Sequence, residues 1–124
     1  MNDDRYDEGM QVRREVLGEE YVAQAQAGTS DLTRDFQDYI TRAAWGDVWT
    51  RPGLDRRTRS AITLTALIAG GHWDELALHV RAARTNGLAP EEIAEVILHS
   101  AVYCGVPAAN HAFAVARPIL EEGS

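Results

Sequence analysis

Residues 56–87 read RRTRSAITLTALIAGGHWDELALHVRAARTNG, and the periodicity of this stretch decides the fold. Asp55 supplies an N-cap, and from Arg56 to about Ala69 the residues Ala61, Ile62, Leu64, Thr65, Ala66, Leu67 and Ile68 make a helix apolar on most sides. A helix apolar nearly all round belongs at the centre, so this one is expected to be the most buried element. Gly70 and Gly71 turn the chain. Trp73, Leu76, Val80 and Ala83 then recur at helical spacing until Asn86 and Gly87 stop the second helix. Beside that apolar stripe runs another. His72, Glu75 and His79 lie three and four residues apart and project from one side. Such a helix can pack on a core and still present titratable groups to a cleft.

The same periodicity extends outward. Residues 1–4 are expected to fray. Arg5 to Leu17 reads as a modest helix interrupted by Gly9, and Glu19 to Ala27 as a short one ended by Gly28. Thr29 or Ser30 is the expected cap of a third helix, with Asp31 in its first turn and Leu32, Phe36, Ile40, Ala43 and Ala44 carrying the spacing to Trp45. Gly46 to Leu54, GDVWTRPGL, breaks the pattern as a structured loop flanked by Trp45 and Trp49. After Gly87, Pro90 opens a helix with Glu91 and Glu92 at its positive end and a buried stripe of Ile93, Val96, Ile97, Ala101 and Val102. Its cap position is Ala89, which has no side-chain acceptor. Gly105 to Pro107 is the next break. Ala108 to about Leu120 is rich in alanine and suited to close packing. No segment alternates with period two, so the fold class is all-α, with six or seven helices in a single domain over residues 1–124.

Composition narrows the function. The 124 residues carry a formal net charge of −7, and all twelve basic residues are arginine, without a basic block that would release counterions from nucleic acid. Arg51, Arg56, Arg57 and Arg59 form a local positive island that can attract a small anion; for Arg56 and Arg57 a solvated helix start reads equally well. The single cysteine, Cys104, excludes an intrachain disulfide, a C-x-x-C pair or a thiolate zinc cluster. No apolar run approaches a membrane span, and MNDDRYDEG lacks the apolar region of a signal peptide, so the expected location is the cytoplasm.

His79 titrates near neutral pH and can move a proton, with Glu75 one turn earlier placed to orient it or to raise its pKa. A helix-surface salt link is the plainer reading of the same pair. His72, Glu75 and His79 can also be read as a metal trio, though without the H-E-x-x-H spacing of zincins. Arg51 and Arg59 offer bidentate forks to a carboxylate. Tyr103 is placed to donate to an oxyanion, and Cys104 reads as a packed small side chain more readily than as a nucleophile. His99 and His111 have no evident local partner.

Six segments, RYDEGMQVRREVLG, AWGDVWTRPGL, RTRSAIT, ELALHVRAA, NGLAPEEIAEVI and SAVYCGVPAAN, together resemble the carboxymuconolactone decarboxylase family over nearly the whole chain. The resemblance implies the helical fold shared with AhpD-like proteins, homo-oligomers that are commonly hexamers, and no cofactor or metal. It implies decarboxylation of 4-carboxymuconolactone to 3-oxoadipate enol-lactone, a step of protocatechuate breakdown. Glu75 and His79 match the family motif as the catalytic pair. Arg51, Arg59, Trp45, Trp49, Tyr103 and Cys104 are the substrate-side candidates. AhpD peroxidases use a Glu, a C-x-x-C pair and a His. Aligned through His79, those positions here hold Ser60, His72, Glu75 and His79, so the thiol chemistry is missing. An AhpD-like peroxidase or reductase and a non-catalytic ligand-binding module are the alternatives.

Overall fold

The structure, a computed structural model, describes residues 4–122. Among them are seven α-helices, two π-helical turns and no strand. The expected fraying of residues 1–3 lies outside the described residues, and Asp4 is already helical. The chain divides into two compact units, Met1–Asp55 and Arg56–Ser124.

The first unit holds α1 (Asp4–Leu17), α2 (Glu19–Ala27), α3 (Arg34–Ile40) and a π-helical turn, Thr41–Gly46. Its interior is Met10, Val12, Val16, Val22, Thr41 and Trp45. Helix α1 runs through Gly9 without interruption. Gly9 marks instead where α1 meets the π-helical turn: a Cβ there would lie 2.2 Å from the Thr41 carbonyl oxygen, and one on Gly46 would lie 2.5 Å from that of Arg5. Two glycines permit a backbone approach that no other residue allows. Arg5 closes the same contact with a bidentate pair to Asp47, at 2.7 and 2.6 Å. The third helix starts later than expected. The Ser30 N–H donates to Thr33 Oγ1 (3.0 Å) and the Thr33 N–H to the Ser30 carbonyl (3.1 Å), so residues 30–33 close a turn of their own and the helix begins at Arg34. Leu32 is left 91% exposed in that turn.

The second unit holds α4 (Arg56–Gly70), α5 (Trp73–Thr85), α6 (Pro90–Cys104), α7 (Val106–Arg117) and a closing π-helical turn, Pro118–Glu122. One core joins them: Leu64 and Ile68 from α4, Leu76, Val80 and Ala83 from α5, Ile93 and Ile97 from α6, and Ala109, Ala112 and Ala116 from α7. The three alanines, spaced three and four apart, let α7 approach closely, as its composition suggests. Gly105, with φ of 101°, takes the left-handed conformation that ends α6 and starts α7 with no intervening residue.

Two burial expectations change. Helix α4 is not sealed on all sides: Ser60, Leu64 and Ile68 face inward, whereas Ile62 and Ala66 are exposed. On α6, Val102 is 76% exposed rather than part of the buried stripe. The inward register is Ile93, Ile97 and Ser100, and Val102, five residues beyond Ile97, lies about 140° round the helix from it. Polar links fix the remaining register. Ser100 Oγ donates to the Val96 carbonyl (2.8 Å) and so accepts from Thr65 Oγ1 (3.2 Å), tying α6 to α4. Ala89 caps α6 with its carbonyl alone, while Glu92 reaches back to the Ala89 N–H at 2.8 Å.

Gly9→Ala is expected to destabilise the chain by roughly 1–3 kcal/mol, because the added methyl meets backbone that cannot rotate away. Urea denaturation measures it, and an unchanged midpoint would show that the crossing does not need the glycine.

Candidate functional site

Helix α5 carries the titratable face. His72 precedes the helix as its N-cap residue, exposed, with a non-helical ψ of 78° and no side-chain capping bond. Glu75 is exposed in the first turn. His79, one turn on, is half-buried between the sealed Leu76 and Val80. The trio therefore does not form one donor set: among the described residues no group of three His, Cys, Asp or Glu is gathered to hold a metal ion.

Burial alone pushes the His79 imidazole below its ordinary value, in the direction opposite to the rise considered for a Glu75 neighbour. The free chain thus keeps His79 neutral at pH 7. A neutral imidazole in a partly dry site accepts a proton readily once an anion arrives nearby, because opposite charge restores the imidazolium.

Arg59 sits in the first turns of α4 and is 9% exposed. Its neighbour Ser60 is sealed and accepts a hydrogen bond from Asn86 Nδ2 at 2.9 Å. That bond ties the start of α4, which carries Arg59, to the end of α5, which carries His79. Arg57, one of the four arginines of the positive island, is committed elsewhere. It donates to Glu92 Oε2 at 2.6 Å and to the Gly87 carbonyl, bracing α4 against the start of α6. The pair is half-exposed, and Arg57 holds the Glu92 carboxyl below its usual range.

Tyr103 is 77% exposed in this chain, its ring 5.3 Å from that of His99, one turn earlier. Cys104 ends α6, half-buried against the core cluster, a free thiol in a packing role. His111 does have a partner: its ring stacks on Trp73 at 4.1 Å, with 13° between planes. This contact joins α7 to α5 and is invisible to local spacing.

Trp45, Trp49 and Arg51 belong to the first unit. The indoles lie 5.1 Å apart at 31°, Trp45 buried on the π-helical turn and Trp49 half-buried in the loop. Thr50 Oγ1 donates to the Gly46 carbonyl (2.6 Å) and the Arg51 N–H to that of Val48 (3.0 Å), which folds the loop back on itself and leaves Arg51 exposed. Such π-helical insertions recur at functional positions. One charged residue escaped the sequence reading. Arg13 is only 4% exposed, and the signal was present, since it shares the inward register of Gly9, Met10, Val12 and Val16.

The described residues form an all-helical chain with a half-buried histidine on α5 and a buried arginine on the preceding helix, α4, and the single cysteine sets it apart from helical enzymes that work through a thiol pair. The carboxymuconolactone decarboxylase family profile matches residues 34–118, and the chain belongs to that family. It is 46% identical, over 98% of its length and 92% of the relative's, to a 4-carboxymuconolactone decarboxylase of Acinetobacter baylyi. It is 47% identical to a nitrosuccinic acid decarboxylase of Metarhizium robertsii, over 94% of this chain and 82% of that one. A 4-carboxymuconolactone decarboxylase sequence of Pseudomonas putida is 51% identical over 43 residues, 35% of this chain and 90% of the relative.

The lowered His79 pKa has a consequence for stability. The unfolded chain binds a proton near pH 6.5, and the folded chain binds it only at lower pH. Stability is therefore full above about 6.5 and is lost as pH falls below it. His79→Gln should flatten that loss below about pH 6.5 in urea titrations; identical slopes in both proteins would contradict the buried, neutral imidazole.

Proposed function

We propose that this protein is a carboxy-lyase that converts 4-carboxymuconolactone to 3-oxoadipate enol-lactone and CO2 without a cofactor or metal. The observation that carries this reading is the 46% identity running along 98% of the chain to a protein named for that activity. The half-buried His79 on α5 and the lack of a second cysteine support it.

The substrate is a butenolide whose γ-carbon bears both a carboxylate and a carboxymethyl group. As the C–C bond to the carboxylate breaks, its electron pair passes through the ring double bond into the lactone carbonyl. The dienolate so formed takes a proton at the α-carbon. One proton is consumed for each CO2 released, and the ring is its own electron sink. The protein must hold the spectator carboxylate, place the departing one in a drier setting and donate to the growing oxyanion. It must also deliver the proton to one face.

In this scheme His79 gives the proton, oriented by Glu75. The substrate's negative charge offsets the desolvation that otherwise keeps the imidazole neutral, so His79 gains its proton as substrate binds. Arg51 and Arg59 hold carboxylates, Trp45 and Trp49 wall the ring, Tyr103 donates to the oxyanion, and Cys104 packs beneath. Residues 1–124 act as one catalytic domain in the cytoplasm. No helix among the described residues is long and apolar enough to cross a membrane. Leu98, Val102, Tyr103 and Val106, all more than half exposed around the α6–α7 junction, make an apolar surface that a homo-oligomer, a hexamer in our reading, would cover.

The 47% identity to a nitrosuccinic acid decarboxylase favours a second substrate for the same chemistry. In a nitrosuccinate the departing carboxylate leaves its electron pair to a nitro group, which forms a nitronate as the lactone forms a dienolate.

His79→Ala should lower kcat by roughly 10²–10⁴ for loss of the general acid, in an ultraviolet assay of butenolide loss with CO2 measured in chelated buffer. A change confined to KM would leave His79 a positioning role only. Inactive wild-type protein in that buffer, restored by added metal, would overturn the cofactor-free reading. A higher kcat/KM for nitrosuccinate than for the butenolide would reverse the order of the two substrates.

A further inference from the structure

The first unit contains a cleft of about 710 Å³, bordered by α1, α2, α3 and the π-helical turn. At its base lies Arg13, 4% exposed. Its guanidinium makes two hydrogen bonds, both to neutral acceptors: Nη1 to Thr41 Oγ1 and Nη2 to Gln37 Oε1, each 3.2 Å. Nε is buried with no acceptor. A guanidinium has five N–H donors and keeps its charge in proteins, so most of its donor capacity is unused and its charge has no counterion. Among the described residues no carboxylate pairs with it. The ionisable groups that act on it, after the burial that works against its charge, are the phenols of Tyr21 and Tyr6. The acidic residues bordering the cleft do not change this. Asp38 is engaged by Arg42 at 2.9 Å, and Asp7 is exposed.

A buried cation without a counterion is costly and is ordinarily paired. Two observations say what would pair it. The cleft has the volume of a small-molecule site, within the usual range of roughly 300–1,000 Å³. The charge lies within the cleft, nine-tenths buried, rather than on its rim, which suits a small free acid better than a carboxylate on the surface of another chain. A second cation, Arg34, borders the same cleft, its side chain 64% exposed and paired with Asp31, which is 94% exposed. Such an exposed pair is worth little and exchanges easily. We propose that this cleft is a second ligand site, separate from the decarboxylation residues, that binds a short dicarboxylate with one carboxylate on Arg13 and the other on Arg34.

The test is a titration of 15N-arginine-labelled protein with succinate, following the side-chain Nε–H resonances, with succinamide as the uncharged control at matched ionic strength. The Arg13 resonance is assigned by its loss in Arg13→Gln and, should that variant fold poorly, in Arg13→Lys. The expected result is a saturable shift of the Arg13 resonance with succinate and none with succinamide. Binding at this site should weaken about tenfold or more in Arg34→Gln, the loss typical of a charged hydrogen bond. Turnover of the butenolide should be unchanged in folded Arg13→Lys. No Arg13 shift with succinate, or an equal shift with succinamide, would overturn the proposal. So would an Arg13 resonance that moves with protein concentration alone, which would mean that a second copy's carboxylate fills the cleft. Loss of turnover in folded Arg13→Lys would place the residue in the catalytic apparatus instead.

Discussion

Leu76, Val80 and Ala83 are sealed in one core with Leu64 and Ile68, and the chemistry of the second unit depends on that contact. It forces α5 to hold a fixed rotation, and with Leu76 and Val80 inward, His79 cannot leave the core's edge. The imidazole is half-buried because its neighbours are fully buried. Its lowered pKa is therefore a by-product of hydrophobic packing, not of a designed ion pair. The Ser60–Asn86 hydrogen bond ties the start of α4 to the end of α5, and the Arg57–Glu92 pair ties α4 to α6, so Arg59 and His79 stand on helices held by packing and cross-helix bonds.

That coupling suits a reaction that consumes a proton. A histidine charged in the free protein would be an acid before the substrate arrived and would gain little from it. One kept neutral by desolvation becomes an acid when a carboxylate-bearing substrate supplies the compensating charge. The same argument covers both acids named in the relatives, since each loses CO2 from a carbon that can pass its electron pair to an oxygen acceptor. On this face His72 and Glu75 lie outside the buried register of α5, and the single cysteine, Cys104, is on another helix.

Periodicity made most of the fold legible. The inward stripe of α5, the stops at Gly87 and Gly105, and the alanine face of α7 all follow from spacing and local backbone chemistry. The misreadings share a cause. Gly9 reads as a helix breaker until the backbone of the π-helical turn is known to pass within contact distance. Val102 and Ile62 are apolar and reasonably assigned to a core, yet the rotation that buries Ile97 and Leu64 turns them outward. The Trp73–His111 stack depends on two helices meeting, which no window of sequence contains, whereas the His99–Tyr103 contact is a simple four-residue spacing. For the site, the sequence offered His79 and Arg59 by residue type. Desolvation decides how His79 behaves, and desolvation is a property of packing.

The central claim is that His79 delivers the proton that replaces CO2. The direct measurement is turnover in D2O with the product read by NMR at the first turnovers. Wild-type protein should place one deuteron on a single face of the α-carbon, and His79→Gln should turn over slowly with label on both faces. Equal labelling of both faces by the wild-type protein, or unchanged facial selectivity in the variant, would contradict the account.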